Sequence, residues 1–291
     1  MTQSLHEFLE KHGEEAILVR VAEARGSTPR ETGTLMAVTR DAISGTIGGG
    51  RLEWEAMETA RTMLAQGVGR LDQHILDQPL GPALGQCCGG RVKLVLRRAR
   101  QKDASVARSR HRETWQASPG VLVFGAGHVG LALARALAPL PLRVKLVDER
   151  ASALRHVPEG IDWELTALPE SVLADATPGT CFVVMTHDHG LDFALASAAL
   201  AREDAAYVGM IGSLTKRAKF ERYAVREAGL DGDMAERLIC PMAPHARRDK
   251  RPEVIAAFVA AEVLGAALRS RGVRGVSDRA LARHVPDMAR V

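Results

Sequence analysis

The sequence predicts an α/β fold, a Rossmann-like doubly wound parallel sheet in the C-terminal part with a smaller α+β domain before it. Three observations lead there. Residues 121–148, VLVFGAGHVGLALARALAPLPLRVKLVD, read as a buried strand, a glycine turn, a helix and a second strand ending in an acid. Beyond them, apolar strands and helical stretches alternate, the pattern of a parallel sheet covered on both faces. Before residue 99, short strands outnumber helices. A length of 291 residues accommodates two such domains.

Residues 1–15 fit a helix with Leu5, Phe8 and Leu9 on one face. Strands are expected at 16–23, 34–40 and 42–48. A helix follows over 51–66, where Ala56, Met57, Ala60, Met63 and Leu64 recur at helical spacing. Strands at 72–76 and 92–98 complete an N-terminal domain of residues 1–98. Residues 99–119 are charged, lack apolar periodicity and end in Ser118-Pro119, so they are expected to be a linker.

The Rossmann-like domain then covers residues 120–291. After the second strand come a short strand near 163–165, a strong strand at 180–186 and a helix at 191–202. A strand at 206–211, a helix after Ser213 and a short final strand at 238–240 follow. The last helix spans 252–269, with Pro252 at its favoured first turn. Ile255, Phe258, Val259 and Ala266 form an apolar stripe there, and Glu262 falls within it. A carboxylate in that place either reaches solvent or is paired or protonated.

Composition narrows the function classes. A hydrophobic fraction of 46% supports packed cores, and four cysteines, two of them adjacent, exclude a disulfide scaffold at this length. No apolar run reaches membrane-spanning length, and the polar, acidic start is unlike a signal peptide. A cytoplasmic protein with no membrane partner is expected. Much of the basic excess behind the net charge of +4 sits at residues 99–111 and 246–251. These stretches carry neither aromatic platforms nor a recognition motif, so nucleic acid is not expected. A small anionic ligand or an acidic protein surface suits this charge.

The glycine turn carries the first candidate site. Gly125, Gly127 and Gly130 give G-x-G-x-x-G: the first makes the tight turn, the second lets a phosphate approach the backbone, and the third lets the helix pack on the strand. The helix N-terminus beyond favours an anion. Asp148 stands at the spacing of the acid on the second strand. Parallel sheets place ligands at the carboxyl ends of their strands, which adds two segments. In Thr186-His187-Asp188-His189-Gly190 the histidines cap a helix, contact an anion or cofactor, or ligate a metal. In Gly209-Met210-Ile211-Gly212-Ser213, Gly212 and Ser213 form a turn and helix cap, and Lys216 is close enough to the helix start to reach a phosphate.

The first half holds three more candidates. Gly48-Gly49-Gly50-Arg51 is either a plain tight turn or a ligand loop whose N–H groups form an anion nest. Gly85-Gln86-Cys87-Cys88-Gly89-Gly90 reads as small residues in a turn or as an accessible thiolate for a sulfur donor or soft metal. Residues 25–30, RGSTPR, form a polar loop or a phosphate-recognising surface with two guanidiniums.

Taken in order, G-S-T-P-R, the triple glycine before L-E, C-C-G-G, G-A-G-H-V-G, D-E-R, T-H-D-H-G-L-D and Y-V-G-M-I-G-S-x-x-K resemble the XdhC/CoxI family of xanthine dehydrogenase accessory proteins. The resemblance implies a chaperone of the molybdenum cofactor and no catalysis of its own. Such a protein protects the cofactor while a terminal oxo ligand is exchanged for sulfur, then delivers it to the large subunit of xanthine dehydrogenase, with a NifS-type cysteine desulfurase as second partner. In that role the Gly125–Gly130 turn or the Gly48–Gly50 nest takes the phosphate. Asp148 and Arg150 address the pterin edge, His128, His187 and His189 donate to molybdenum oxo groups, and Cys87 or Cys88 sits near the sulfur-exchange centre. Arg51 stands where many relatives carry Cys, and the loop after Cys240-Pro241 is basic and lacks the glycine relatives have there. A homodimer is expected, since handing over a cofactor asks for a second docking surface.

Two other readings compete. The fingerprint alone suggests an NAD(P)-dependent oxidoreductase, with Asp148 accepting the ribose hydroxyls and His187 or His189 as acid–base groups. The His-Asp-His cluster alone suggests a metal-dependent hydrolase.

Overall fold

A computed structural model describes residues 4–69, 72–80, 89–244 and 249–273. The chain divides into two compact units, Met1–Gln116 and Ala117–Val291.

The first unit is an antiparallel sheet with helices on both faces. Helix α1 (Leu5–His12) starts in a reciprocal cap: Ser4 N–H donates to the Glu7 carboxylate at 2.9 Å, and Ser4 Oγ accepts from Glu7 N–H. Five strands follow, β1 (Ile17–Arg25), β2 (Leu35–Val38), β3 (Ile43–Gly45), β4 (Gln73–Pro79) and β5 (Arg91–Arg98), in the order β3-β2-β1-β5-β4. The period of two sorts their side chains. Ile17, Val19, Val21, Met36, Val38, Leu94 and Leu96 face helix α2 (Gly50–Ala65), which contributes Leu52, Ala56, Ala60 and Met63. Leu18 and Ala37 face the other way, onto Phe8 and Leu9 of α1.

Within residues 99–119, expected to be a linker, residues 101–117 are helical. Helix α3 (Gln101–Ala117) belongs in its first half to the core, through buried Asp103 and Ala107. Its anchor is an ion pair. The Arg97 guanidinium donates two bonds of 2.7 Å to the Asp103 carboxylate, which also accepts Arg100 N–H at 2.7 Å. Apolar periodicity is missing because the buried position of the first turn is filled by this charge-paired Asp. The later turns are exposed.

The second unit is a five-stranded parallel sheet. Strands β6 (Gly120–Phe124), β7 (Arg143–Asp148), β8 (Asp162–Leu165), β9 (Cys181–Val184) and β10 (Tyr207–Met210) lie in the order β10-β9-β6-β7-β8. Counted within the unit this is 3-2-1-4-5, the doubly wound topology. One face carries Val121, Val123, Val144, Leu146 and Val183 against α4 (His128–Leu137) and α10 (Pro252–Val273). The other carries Leu122, Phe124, Phe182, Val184 and Met210 against α6 (Pro169–Ala174), α7 (His189–Ala201), α8 (Leu214–Arg226) and α9 (Gly232–Glu236). A short helix, α5 (Ala151–Leu154), follows β7.

Two expectations change here. Residues 238–240 make one bridge, Gly209 to Ile239, rather than a strand, since Pro241 has no N–H with which to continue a ladder. The buried stripe of α10 is Ala256, Val259, Ala260, Val263, Ala266 and Ala267, so Val259 and Ala266 face inward as expected while Phe258 faces outward at 39% exposure. Small residues let α10 lie close against α4. Glu262 is paired, as one of the three options required: Oε2 accepts the Tyr207 hydroxyl and Oε1 accepts Ala243 N–H, each at 3.0 Å.

Candidate functional site

The carboxyl edge of the parallel sheet gathers most of the expected residues of the second unit. The glycine turn between β6 and α4 is closed on two sides. Gly125 has φ +114°, and a Cβ on it would collide with Met185 O; one on Gly130 would collide with Gly125 O. Gly127 differs: it is exposed, it caps α4 without a side-chain bond, and nothing lies within 4 Å of where its Cβ would stand. The turn is thus open at the helix N-terminus, where backbone N–H groups and the dipole favour an anion. His128, the first residue of α4, is exposed beside it.

Asp148 ends β7 with its carboxylate fully engaged. Oδ2 accepts Ala126 N–H at 2.6 Å and Arg150 Nη2 at 2.8 Å; Oδ1 accepts Arg150 N–H and Nε, both at 2.9 Å. Burial opposes its charge, but these bonds outweigh it and hold the carboxyl below the usual carboxylate range. Asp148 therefore braces the glycine turn, and Arg150 covers Asp148.

The Thr186–Asp192 segment explains its own spacing. Thr186 N–H and Oγ1 donate to Asp192 Oδ1 at 2.9 and 2.8 Å, and Asp188 caps α7 by accepting Leu191 N–H at 2.8 Å. Asp192 has no exposed surface, and its other oxygen pairs with Lys216 Nζ. Lys216 also donates to Ile211 O at 3.0 Å, so its ammonium is held inside and turned from a phosphate-reaching position. Ser213 caps α8, accepting Lys216 N–H at 3.2 Å, and Gly212 packs beside the Lys216 side chain and Cys240 Sγ. His187 and His189 are exposed at this edge. A narrow crevice of about 10 Å³, room for about one water, lies here, lined by Phe124, Gly125, Val147, Glu149, Pro169 and His187 among others. At its mouth His187 Nε2 lies 3.4 Å from Glu149 Oε1.

Asp192 and Glu149 were not anticipated. An acid in register with Leu195, Ala196 and Ala199 on the buried face of α7 is the signal that marks Asp192. Among the described residues no three His, Cys, Asp or Glu side chains converge as metal ligands.

In the first unit the glycine nest has an internal occupant. Glu53 Oε2 accepts Ile47 N–H at 2.9 Å, Gly49 N–H at 3.1 Å and the Thr46 hydroxyl. Burial opposes its ionisation, and these bonds overcome it, holding the carboxyl below its ordinary range. Arg51 is exposed and pairs with Glu55 at 3.0 Å. Three motifs share this corner, since a Cβ on Gly48 would strike the Pro29 ring and one on Gly90 would strike Ser27 O. Cys87 and Cys88 lie outside the described residues.

Comparison with known proteins decides the lineage. Residues 121–263 match the model described as the XdhC Rossmann domain, and residues 9–74 match that of the XdhC and CoxI family. The chain belongs to the XdhC and CoxI family. A relative, the uncharacterized protein YqeB of Escherichia coli strain K12, is 27% identical over 253 residues, covering 85% of this chain and 42% of YqeB. The chain thus spans under half the length of that curated relative. A solved structure described as a xanthine dehydrogenase from Bacillus halodurans superposes with a TM-score of 0.71 at 15% identity, covering 92% of this chain and 97% of that one, which establishes a shared fold. The XdhC Rossmann match contains the whole carboxyl-edge site, from the glycine turn to Lys216.

Proposed function

We propose that this chain is an accessory protein of xanthine dehydrogenase maturation that holds the molybdenum cofactor and passes it on, turning over no substrate of its own. The observation that supports this best is the carboxyl edge itself. It offers an open anion seat at Gly127 with the exposed imidazoles of His128, His187 and His189, while its strong acid–base pairs face inward.

These residues fit the cofactor's chemistry. The N–H groups at the start of α4 suit its phosphate, and the imidazoles suit hydrogen bonds to metal-bound oxygens. When bound, the cofactor supplies the redox-active molybdenum centre of the enzyme that receives it. The large subunit of xanthine dehydrogenase and a NifS-type cysteine desulfurase are the proposed partners, with this chain acting as a homodimer in the cytoplasm. The NAD(P)-dependent alternative is disfavoured by Asp148, whose oxygens already accept Arg150 and Ala126.

The test is the molybdenum and pterin content of the protein purified anaerobically from a host that makes the cofactor. Near-stoichiometric molybdenum with a fluorescent pterin after oxidation is expected. No molybdenum and no pterin, with a titratable nicotinamide dinucleotide, would overturn the proposal.

A further inference from the structure

Helix α10 carries more apolar surface than its own unit covers. From Val254 to Leu268 every residue is apolar or glycine except Glu262, and a helix that is apolar on every side belongs in an interior. One side is covered, through Ala256, Val259, Ala260, Val263, Ala266 and Ala267. The opposite side is open. Leu268 is 50% and Phe258 39% exposed, and Ala257 and Ala261 beside them are exposed as well. Glu262 brings no charge to this side, because its two oxygens accept the Tyr207 hydroxyl and Ala243 N–H.

The open side is charged only at its two ends. Residues four apart form a ridge, here Glu253, Ala257, Ala261, Gly265 and Arg269. Glu253 and Arg269 are exposed, and neither is in an ion pair among the described residues. Arg251, a cation close to Glu253 in the chain, is taken by Asp249 at 2.6 Å. Arg269 folds back along the helix, with Nη1 3.4 Å from where a Cβ on Gly265 would stand. The helical rise sets Glu253 and Arg269 roughly 24 Å apart, out of each other's reach within one chain.

We infer that two copies of this chain meet along the open side of α10, antiparallel about a twofold axis at Ala261. Turned end for end, the ridge is its own complement. Glu253 of each copy comes beside Arg269 of the other, and the small residues between let the helices approach to ~8 Å. Ridges of this spacing interdigitate at a crossing of about −50°, which follows the drift of the ridge around the helix and keeps both ends in reach. Leu268 and Phe258 flank the ridge and are covered with it. A parallel pair would set Glu253 on Glu253 and Arg269 on Arg269. A foreign partner would have to present the same acid-to-base order reversed, which a second copy carries by construction. One helix crossing buries less than the ~800 Å² per partner of a standard interface, so the dimer should form reversibly with concentration. The inference rests on the homodimer proposed above, for which it names the surface, and is independent of the cofactor.

The experiment is sedimentation velocity of the full chain over a range of concentrations, on the wild type, Ala261→Arg, Glu253→Arg, Arg269→Glu and the last two combined. All three positions are exposed, and circular dichroism checks that each variant is folded. The wild type should show a monomer–dimer equilibrium. Ala261→Arg sets like charges against each other at the axis and should leave only monomer. Each single reversal should weaken the dimer about tenfold, because the twofold turns two attractive pairs into repulsive ones. The combined reversal makes every pair opposite again and should return the affinity to within about threefold of the wild type. A dimer indifferent to all four variants, or a combined reversal no tighter than the single ones, would overturn this surface and leave the homodimer standing. A wild type that stays monomeric throughout would overturn both, leaving the face to another protein or to residues 274–291.

Discussion

Glu53 accepts the backbone N–H of Gly49 at 3.1 Å, from four residues further along the chain. The same oxygen takes Ile47 N–H and the Thr46 hydroxyl, so the helix that follows the triple glycine closes its own N-terminus. A turn that looks like a phosphate nest is satisfied by an acid of its own helix.

Glu53→Ala should therefore cost about 1–3 kcal/mol, the penalty for leaving partly buried donors unpaired. Sulfate should restore more stability to this variant than to the wild type, because it can enter the vacated nest. Urea denaturation with and without sulfate reads both effects; identical sulfate responses would dismiss the nest.

Arg97 and Asp103 are 6% and 7% exposed, and each is the other's main partner. Asp103→Asn should lose roughly 3–5 kcal/mol, as breaking a buried pair does, whereas replacing both partners with apolar residues should lose much less. Burial opposes ionisation of Asp103, but Arg97 and the Arg100 N–H hold its folded pKa below the unfolded value. Its contribution is then complete above the unfolded pKa of about 3.9 and is lost as pH falls through the folded one. Denaturation midpoints against pH for wild type and Asp103→Asn should converge in acid.

Lys216→Met should strand the carboxylate of Asp192 in the core and cost roughly 3–5 kcal/mol, with part of the loss recovered by adding Asp192→Asn. A double-mutant cycle measures the coupling; additive losses would mean that the pair does not act as a unit.

Gly127→Ala and Gly130→Ala should behave oppositely. The first adds a methyl to open space at φ −72° and should change stability by less than about 0.5 kcal/mol. It should nonetheless weaken phosphate-dependent cofactor uptake, because the methyl fills the anion seat. The second drives a Cβ into Gly125 O and should disrupt the turn. Thermal melting with molybdenum content of the purified variants separates the two effects.

The parallel sheet was legible because β6, β9 and β10 are apolar runs next to a glycine or a cap, and those signals are local. Helix α3 was not, since its inward position is Asp103, and only the partner on β5 shows that this acid is buried. The glycine turn was located correctly as a strand-to-helix turn. The partners of Asp148, Lys216 and Glu53 were not legible. An acid or ammonium near a turn reads the same whether it faces a ligand or its own backbone, and only the folded distances separate the two.

The bond from Ala126 N–H to Asp148 bears on how fast a ligand binds. A loop that must order itself on contact loses conformational freedom at that moment, and its association slows accordingly. Here the second strand holds the turn in shape beforehand. Capture at Gly127 should consequently run near the rate of molecular encounter, leaving the lifetime of the complex to the contacts made afterwards.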